Sequence, residues 1–285
     1  MINIPPIIDL EITERCNFSC GFCFGPVNNN SKDLSLMFWK KVIIYMKNKG
    51  AKGIVFSGGE PTLFNNFEEL VRFTKDNGLS IIVSSNGSNE NTLYNVASYC
   101  DWISLPYDGK YTNKVMNGHN ISFDKILEIS HRLKDINTDL KIKLGSVSTK
   151  HNSSSLTVFA KYLVKEKIKI FDTWKIYQYS PRRSSMHLKD IYEISNDNFF
   201  YLQKQIIDIF IPNNLNLVFS SNKNRNASYL FVYPNGDLII PNIGKKMSDI
   251  KLGNLLMDNF NIDYKKLSYI KKINHHNNFY NSYNL

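Results

Sequence analysis

Six short apolar runs separated by stretches of helical period constrain this chain more than any other feature of it. Residues 7–13 (IIDLEIT), 53–57 (GIVFS), 79–85 (LSIIVSS), 101–107 (DWISLPY), 140–148 (LKIKLGSVS) and 171–179 (FDTWKIYQY) read as strands. Stretches near 35–49, 66–77, 122–135 and 154–166 carry the helical period. Alternation of this kind predicts βα units and a parallel sheet, because a parallel neighbour is reached only through a crossover connection. The expected fold is therefore α/β, a partial (βα)6 TIM-type barrel over residues 1–212, with functional residues at the C-terminal ends of the strands. Beyond residue 212 the pattern changes. LNLVFSS, YLFVYPNGDLII and a short helix near 254–260 predict a C-terminal extension, residues 213–285, packed on the barrel. Pro234-Asn235-Gly236 is the expected turn of a hairpin within it. The tail from about residue 261, ending NHHNNFYNSYNL, has little periodicity and is expected to be loosely ordered.

Composition narrows the function classes. At 42% hydrophobic residues the chain can bury a sizeable core, which excludes disordered and fibrous classes. No apolar run of the about 18–20 residues that a membrane helix needs is present, and the sequence MINIPPIIDL has no basic leader before an apolar stretch. Neither a membrane span nor a signal peptide is expected, so the predicted location is cytoplasmic. The formal net charge of +10 fits an anionic small substrate, an acidic partner, nucleic acid or a solvated lysine-rich surface, and composition does not choose among them.

Three of the four cysteines fall within Cys16-Asn-Phe-Ser-Cys20-Gly-Phe-Cys23, directly after the first strand. Such clustering in a chain with no export signal points to metal rather than disulfides. Soft thiolates suit iron, and three of them can hold three irons of a [4Fe–4S] cube while the fourth stays open to an exogenous chelator. A zinc site, the alternative, wants four ligands in two pairs. Cys100 stands alone and His275-His276 lies in the tail, so a zinc or non-catalytic iron–sulfur module is the lesser reading. Cys100, in Ala-Ser-Tyr-Cys at a helix end, reads as a small buried hydrophobe, and a hydrogen-donating thiol is its other reading.

The strand ends are polar. Ser57-Gly58-Gly59-Glu60-Pro61 closes the second strand, where two glycines permit close backbone approach to a ligand; an ordinary βα turn is the alternative. The third strand ends in Ser84-Ser85-Asn86-Gly87 and the fourth in Ser104 to Asp108, residues that also suit plain turns.

Taken together, the cysteine spacing, Phe22 before its last cysteine, and the three strand-end motifs in this order resemble the radical S-adenosylmethionine (SAM) superfamily. The resemblance implies that SAM chelates the open iron and is cleaved to methionine and a 5′-deoxyadenosyl radical that takes hydrogen from substrate. It implies cluster ligation by Cys16, Cys20 and Cys23. Phe22, Gly58, Gly59, Glu60, Ser84, Asn86 and Ser104 fall on its cofactor-binding positions, and a flavodoxin- or ferredoxin-type reductant is expected.

Longer blocks resemble the viperin-like nucleotide dehydratases, antiviral enzymes that convert a nucleoside triphosphate to its 3′-deoxy-3′,4′-didehydro form. These blocks are CNFSCGFCF, FSGGEP, LVRF, SNGS, IKLGSVSTKHN, TWKIYQY and SYLFVYPNGDL followed by Gly244-Lys245-Lys246. By that resemblance Ser57, Lys143, Lys175, Tyr229 and Lys246 contact a triphosphate. Inside a barrel such lysines would be costly without an anion or acid beside them; on the exposed face of an edge strand, Lys141 and Lys143 would need neither. Three family positions differ here, occupied by Gly53, Gly145 and Thr173. Arg182-Arg183 reads either as a phosphate contact or, more commonly for a loop, as solvated. A peptide-modifying radical SAM enzyme is the alternative, but the absence of cysteine after Cys100 excludes auxiliary clusters. Binding of nucleic acid or membrane is not expected, and a monomer is.

Overall fold

The computed structural model describes residues 4–23, 25, 28–109, 121–210, 215–225, 228–242, 249–262, 264 and 267. All six expected strands form: β1 (Ile7–Thr13), β2 (Gly53–Gly58), β3 (Ser80–Ser84), β4 (Trp102–Pro106), β5 (Lys141–Ser148) and β6 (Thr173–Gln178). They pair in parallel in chain order. The longer helices among the described residues are α1 (Leu36–Asn48), α2 (Phe67–Asp76), α3 (Glu90–Val96), α4 (Phe123–Ile136), α5 (Ser153–Lys165) and α6 (Asn196–Phe210). Two of them start on a serine cap: Ser35 accepts from the Phe38 amide, and Ser122 from the Lys125 amide. Each cap satisfies an amide that the first helical turn leaves without a partner.

α3 and α6 lie outside the sequence expectation. The first is short and buries only Leu93 and Val96, too little for a period to register. The second buries Phe199, Leu202, Ile206 and Phe210, an amphipathic spacing that was present in the sequence.

The C-terminal segment supplies strands to both ends of the sheet. β7 (Asn216–Ser220) runs parallel to β6. β8 (Phe231–Val232) pairs in parallel with β1, and the expected hairpin carries the chain into antiparallel β9 (Asp237–Ile240). Its turn uses Gly236 at φ 85°, a backbone region that favours glycine. β10 (Ile250–Asn254) completes the order β10-β9-β8-β1-β2-β3-β4-β5-β6-β7. The helix expected near 254–260 is not there; a strand ends at Asn254 and turns follow to residue 260. Asn254 explains the switch, since its side chain accepts from the Leu256 and Met257 amides and winds the chain into a turn. Most of the tail from residue 261 lies outside the described residues. No helix among the described residues is long and apolar enough to cross a membrane.

The two faces of the sheet differ in chemistry. Outward residues such as Ile8, Leu10, Phe56, Val83, Leu105, Leu144 and Trp174 pack with the helices into the main core. On the opposite face Ile7, Ile82 and Trp102, with Val55, form a small apolar floor. Two residues further along the strands that face becomes polar, with Asp9, Ser57, Ser84 and Ser104 following Ile7, Val55, Ile82 and Trp102 at the strand period.

At the head of α5 a buried amide ties strand ends together. Asn152 donates to the Asp108 and Val147 carbonyls and accepts from the Thr149 amide. Replacing Asn152 by Ala leaves those groups without partners, and each such loss costs about 1–3 kcal/mol. Asn152→Ala is therefore expected to lower unfolding free energy by about 2–4 kcal/mol in denaturant titration. A midpoint unchanged from wild type would remove this residue from the account of the fold.

Candidate active site

At the C-terminal ends of the strands a cavity of about 330 Å³ opens above the apolar floor. Cys16, Cys20 and Cys23 line it, as do Phe22, Gly58, Gly59, Ser84, Asn86 and Ser104 of the expected cofactor positions. Ser57, Lys143 and Tyr229 of the expected substrate positions line it as well. Glu60 and Lys175 stand behind its wall, both fully buried. Lys246 lies outside the described residues.

The cysteine loop is held by backbone contact with the glycine motif. Gly59 and Glu60 donate to the Thr13 and Arg15 carbonyls at 2.8 Å each. A Cβ on Gly59 would stand 2.2 Å from the Arg15 carbonyl oxygen, and one on Gly58 2.4 Å from that of Thr13. Gly58 also has φ 129°. Both glycines are thus required by the chain that leads into Cys16. Arg15 anchors the same turn, reaching Asp33 and the Leu63 carbonyl at 2.5 Å.

Glu60 is a brace. One carboxylate oxygen accepts from the Thr62 amide and hydroxyl and from the Ser85 hydroxyl; the other accepts from the Asn86 amide at 2.6 Å. It therefore fixes the β3 loop against the β2 loop. Asn86 in turn donates to Asn17 at 2.9 Å, and its amide nitrogen lies 3.9 Å from the Cys16 sulfur.

Burial pushes the thiol of Cys23 up to about 11 and raises Cys16 and Cys20 too, and the charges of neighbouring cysteines add to the rise at Cys20 and Cys23. Thiols that repel one another as they ionise are relieved by a positively charged iron cluster, so the donor set fits one. Among the described residues no three Cys, His, Asp or Glu side chains converge on a single ion position, as a mononuclear zinc site demands. A cube asks each thiolate to reach a different iron. Cys100, by contrast, is buried in the main core with the aliphatic residues around it.

The sequence reading did not single out the acids that face the cavity. Asp9 and Glu11 both line it. In IIDLEIT they alternate with isoleucine and leucine, and in isolation such a strand places its acids toward water. Here the barrel interior is the polar side. Ser57 donates its hydroxyl to Asp9. Glu11 pairs with Arg183 at 2.8 Å, and the Arg183 guanidinium lies 3.6 Å from the Tyr233 ring centroid. Arg182 is buried too, bonded to Asp249 at 2.6 Å and to the Tyr233 hydroxyl. Neither arginine is a solvated loop residue.

Across the cavity stand the cations. Lys143, only 6% exposed on an interior strand, donates to the Tyr177 hydroxyl at 3.4 Å. Lys175 and Arg225 flank the Tyr177 ring, 5.1 and 5.5 Å from its centroid. Burial, then the charges of Lys143 and Arg225, hold Lys175 well below the ordinary lysine range.

The glycine contact makes a definite prediction. Gly59→Ala forces Arg15 and the adjoining Cys16 to move, so anaerobically reconstituted protein should carry well under the about four irons of one cube. Cys100→Ala should keep the full complement. Iron analysis of the two variants checks both, and a Gly59→Ala protein with wild-type iron would show that the loop is not held this way.

Comparison with known proteins agrees with this geometry. Residues 10–147 match the model of the radical SAM superfamily. An S-adenosylmethionine-dependent nucleotide dehydratase of Selenomonas ruminantium is 28% identical over 169 residues, which cover 55% of this chain and 61% of that protein. A protein of the same name from Flammeovirga pacifica is 29% identical over 198 residues, covering 64% of this chain and 65% of the relative. The match thus spans less than two thirds of either relative's length. In fold, SuiB of Streptococcus suis bound to S-adenosylmethionine superposes with a TM-score of 0.71 at 17% identity, over 95% of this chain and 68% of that one. Enzymes of this superfamily use a [4Fe–4S] cluster and SAM, and the chain is an enzyme similar to them over residues 10–147, just under half of its length.

Proposed function

We propose that the chain dehydrates a nucleoside triphosphate in the manner of the viperin-like enzymes, taking the nucleotide into the cavity beside the cysteine loop. The observation that carries the reading is one continuous cavity with three thiols at one side and a cationic wall at the other. When bound, the cluster and SAM supply the radical that removes hydrogen from the substrate. The chain supplies the rest. Cys16, Cys20 and Cys23 would hold the cluster, while the Gly58–Gly59 backbone, Ser84, Asn86 and Ser104 would hold SAM. Lys143 and Arg225 beside Tyr177 hold the phosphates, with Lys175 behind them, and Tyr229 donates a hydrogen bond to them next to Ser57, whose own hydroxyl proton goes to Asp9. Burial and the charges of Lys143 and Arg225 disfavour the charged form of Lys175, and an anion in this position favours it, so ligand and protein each relieve a cost in the other. A flavodoxin- or ferredoxin-type electron donor, a monomeric cytoplasmic protein and a setting in antiviral defence go with this reading. So does a division into a barrel (1–212) and an extension (213–285).

Peptide modification is the second reading, favoured by the likeness to SuiB, which has also been seen bound to its precursor peptide SuiA. One experiment separates the two. The reconstituted protein is incubated anaerobically with SAM, dithionite and each of CTP, UTP, GTP and ATP. The expected result is that one nucleotide accelerates 5′-deoxyadenosine formation and yields a product lighter by one water. Lys143→Ala should weaken that nucleotide's half-saturation about ten- to a hundredfold, the loss expected for a charge-assisted contact. Lys161→Ala, on the exposed side of α5, should not. If no nucleotide stimulates SAM cleavage, the dehydratase reading fails.

A further inference from the structure

Asp9 sits where an anionic substrate is expected to bind. It lines the cavity on β1, receives the Ser57 hydroxyl, and lies within electrostatic reach of Lys143. Both neighbours belong to the proposed phosphate-binding set. An ionised carboxylate here would repel a phosphate and compete with it for the lysine. A neutral carboxyl group would do the opposite, because its O–H can donate to a phosphate oxygen while its other oxygen keeps the serine bond. The same side chain therefore opposes or assists the ligand according to one proton.

We propose that Asp9 is a specificity-determining residue that enters the substrate complex protonated and hydrogen-bonds a phosphate oxygen of the nucleotide. This rests on the nucleotide reading given above. It adds a requirement that the lysines alone do not impose, namely that one proton is taken up with the anion.

The surroundings support a carboxyl group that gains its proton near neutrality. Burial pushes Asp9 up to about 7. The Ser57 hydrogen bond pulls the other way, as do the charges of Lys143 on β5 and Arg183 beyond β6, while Glu11 on the same strand adds to the rise. Glu11 is turned to Arg183, so its charge is largely spent on that partner. On the β8 side Asp9 faces Phe231, its register partner, which carries no charge. The sign follows directly. Below about pH 7 the group is neutral and ready to donate; above it the site carries a carboxylate that the incoming phosphate must neutralise or repel.

The linkage has a size. If only the protonated form binds, affinity falls about tenfold for each pH unit above the group's midpoint, so about tenfold in all between pH 6 and pH 8. The nucleotide's own terminal phosphate also titrates in this range. It does so identically for every protein variant, so the comparison of variants isolates Asp9.

The test is calorimetric titration of the cluster-loaded, SAM-bound protein with CTP, UTP, GTP and ATP at pH 6, 7 and 8, in buffers of different ionisation enthalpy. Wild type should lose about tenfold in affinity relative to Asp9→Asn across the range, with net proton uptake above pH 7 that the variant lacks. Ser57→Ala removes a bond that favours the carboxylate, so it should move the wild-type transition to higher pH. This second variant, and the proton uptake of wild type itself, keep the test decisive if Asp9→Asn does not fold. Nucleotide binding with parallel pH profiles in wild type and Asp9→Asn, or with no proton uptake, overturns the role of Asp9 and leaves the nucleotide reading standing. Absence of binding by any nucleotide at any pH overturns both.

Discussion

Two peptide hydrogen bonds, from Gly59 to Thr13 and from Glu60 to Arg15, fix the place of everything else in the site. They press the exit of β1 so close to the end of β2 that no side chain fits at either glycine. The cysteine loop begins at the next residue, so its position is set by backbone rather than by flexible side chains. Glu60 then carries the constraint to the end of β3 through Ser85 and Asn86. Three loops are tied together through one buried residue, the β1 exit by its backbone amide and the β2 and β3 loops by its carboxylate. Preorganisation of this sort matters where a reactive species must meet one carbon–hydrogen bond and no other, because small displacements of reacting groups cost large factors in rate.

The sequence made the repeating part of this fold readable. Each βα unit announces itself through a run of four to eight apolar residues or a helical stripe, and these are local signals. The cysteine loop was equally plain, since its chemistry lies in spacing. What the chain did not reveal is which polar residues face inward. Asp9 and Glu11 look like the wet side of a half-buried strand until β1 is known to line a barrel. Arg182 and Arg183 look like a loop until Asp249 and Glu11 come round to meet them. Those partners are distant in sequence, and nothing local marks them. Glu60 shows the converse error of emphasis: its motif was visible, but its position behind the wall, with both oxygens already occupied by the chain's own donors, follows only from the β2 and β3 loops lying side by side. The pairing of β8 with β1 was likewise beyond any periodicity argument.

Four of the charged side chains around the cavity are joined in two ion pairs. Glu11 with Arg183, and Arg182 with Asp249, join the first strand, the turn after β6 and the C-terminal segment at one rim. Arg183 adopts a left-handed backbone, φ 44°, to reach its partner. Non-glycine residues pay about 1–3 kcal/mol for such a conformation, and they keep it only where surrounding contacts over-determine it. Pairs of this kind add little net stability, yet losing one member leaves a buried charge at a cost of about 3–5 kcal/mol. They therefore act as positional locks on the cavity rim rather than as sources of stability.

The parallel bridge between β1 and β8 has a consequence for synthesis. Asp9 meets Phe231, so the strand that leads into the cysteine loop keeps one unpaired edge until Phe231 has left the ribosome. During that interval β2 can already cover the other edge, because it follows closely in sequence. The nascent protein thus presents its three clustered cysteines on a half-built sheet, open on the side that the C-terminal strands will later cover. Long-range closure of this kind is slow. The cysteine loop therefore borders an open sheet edge from the time it is made until β8 arrives to close that flank.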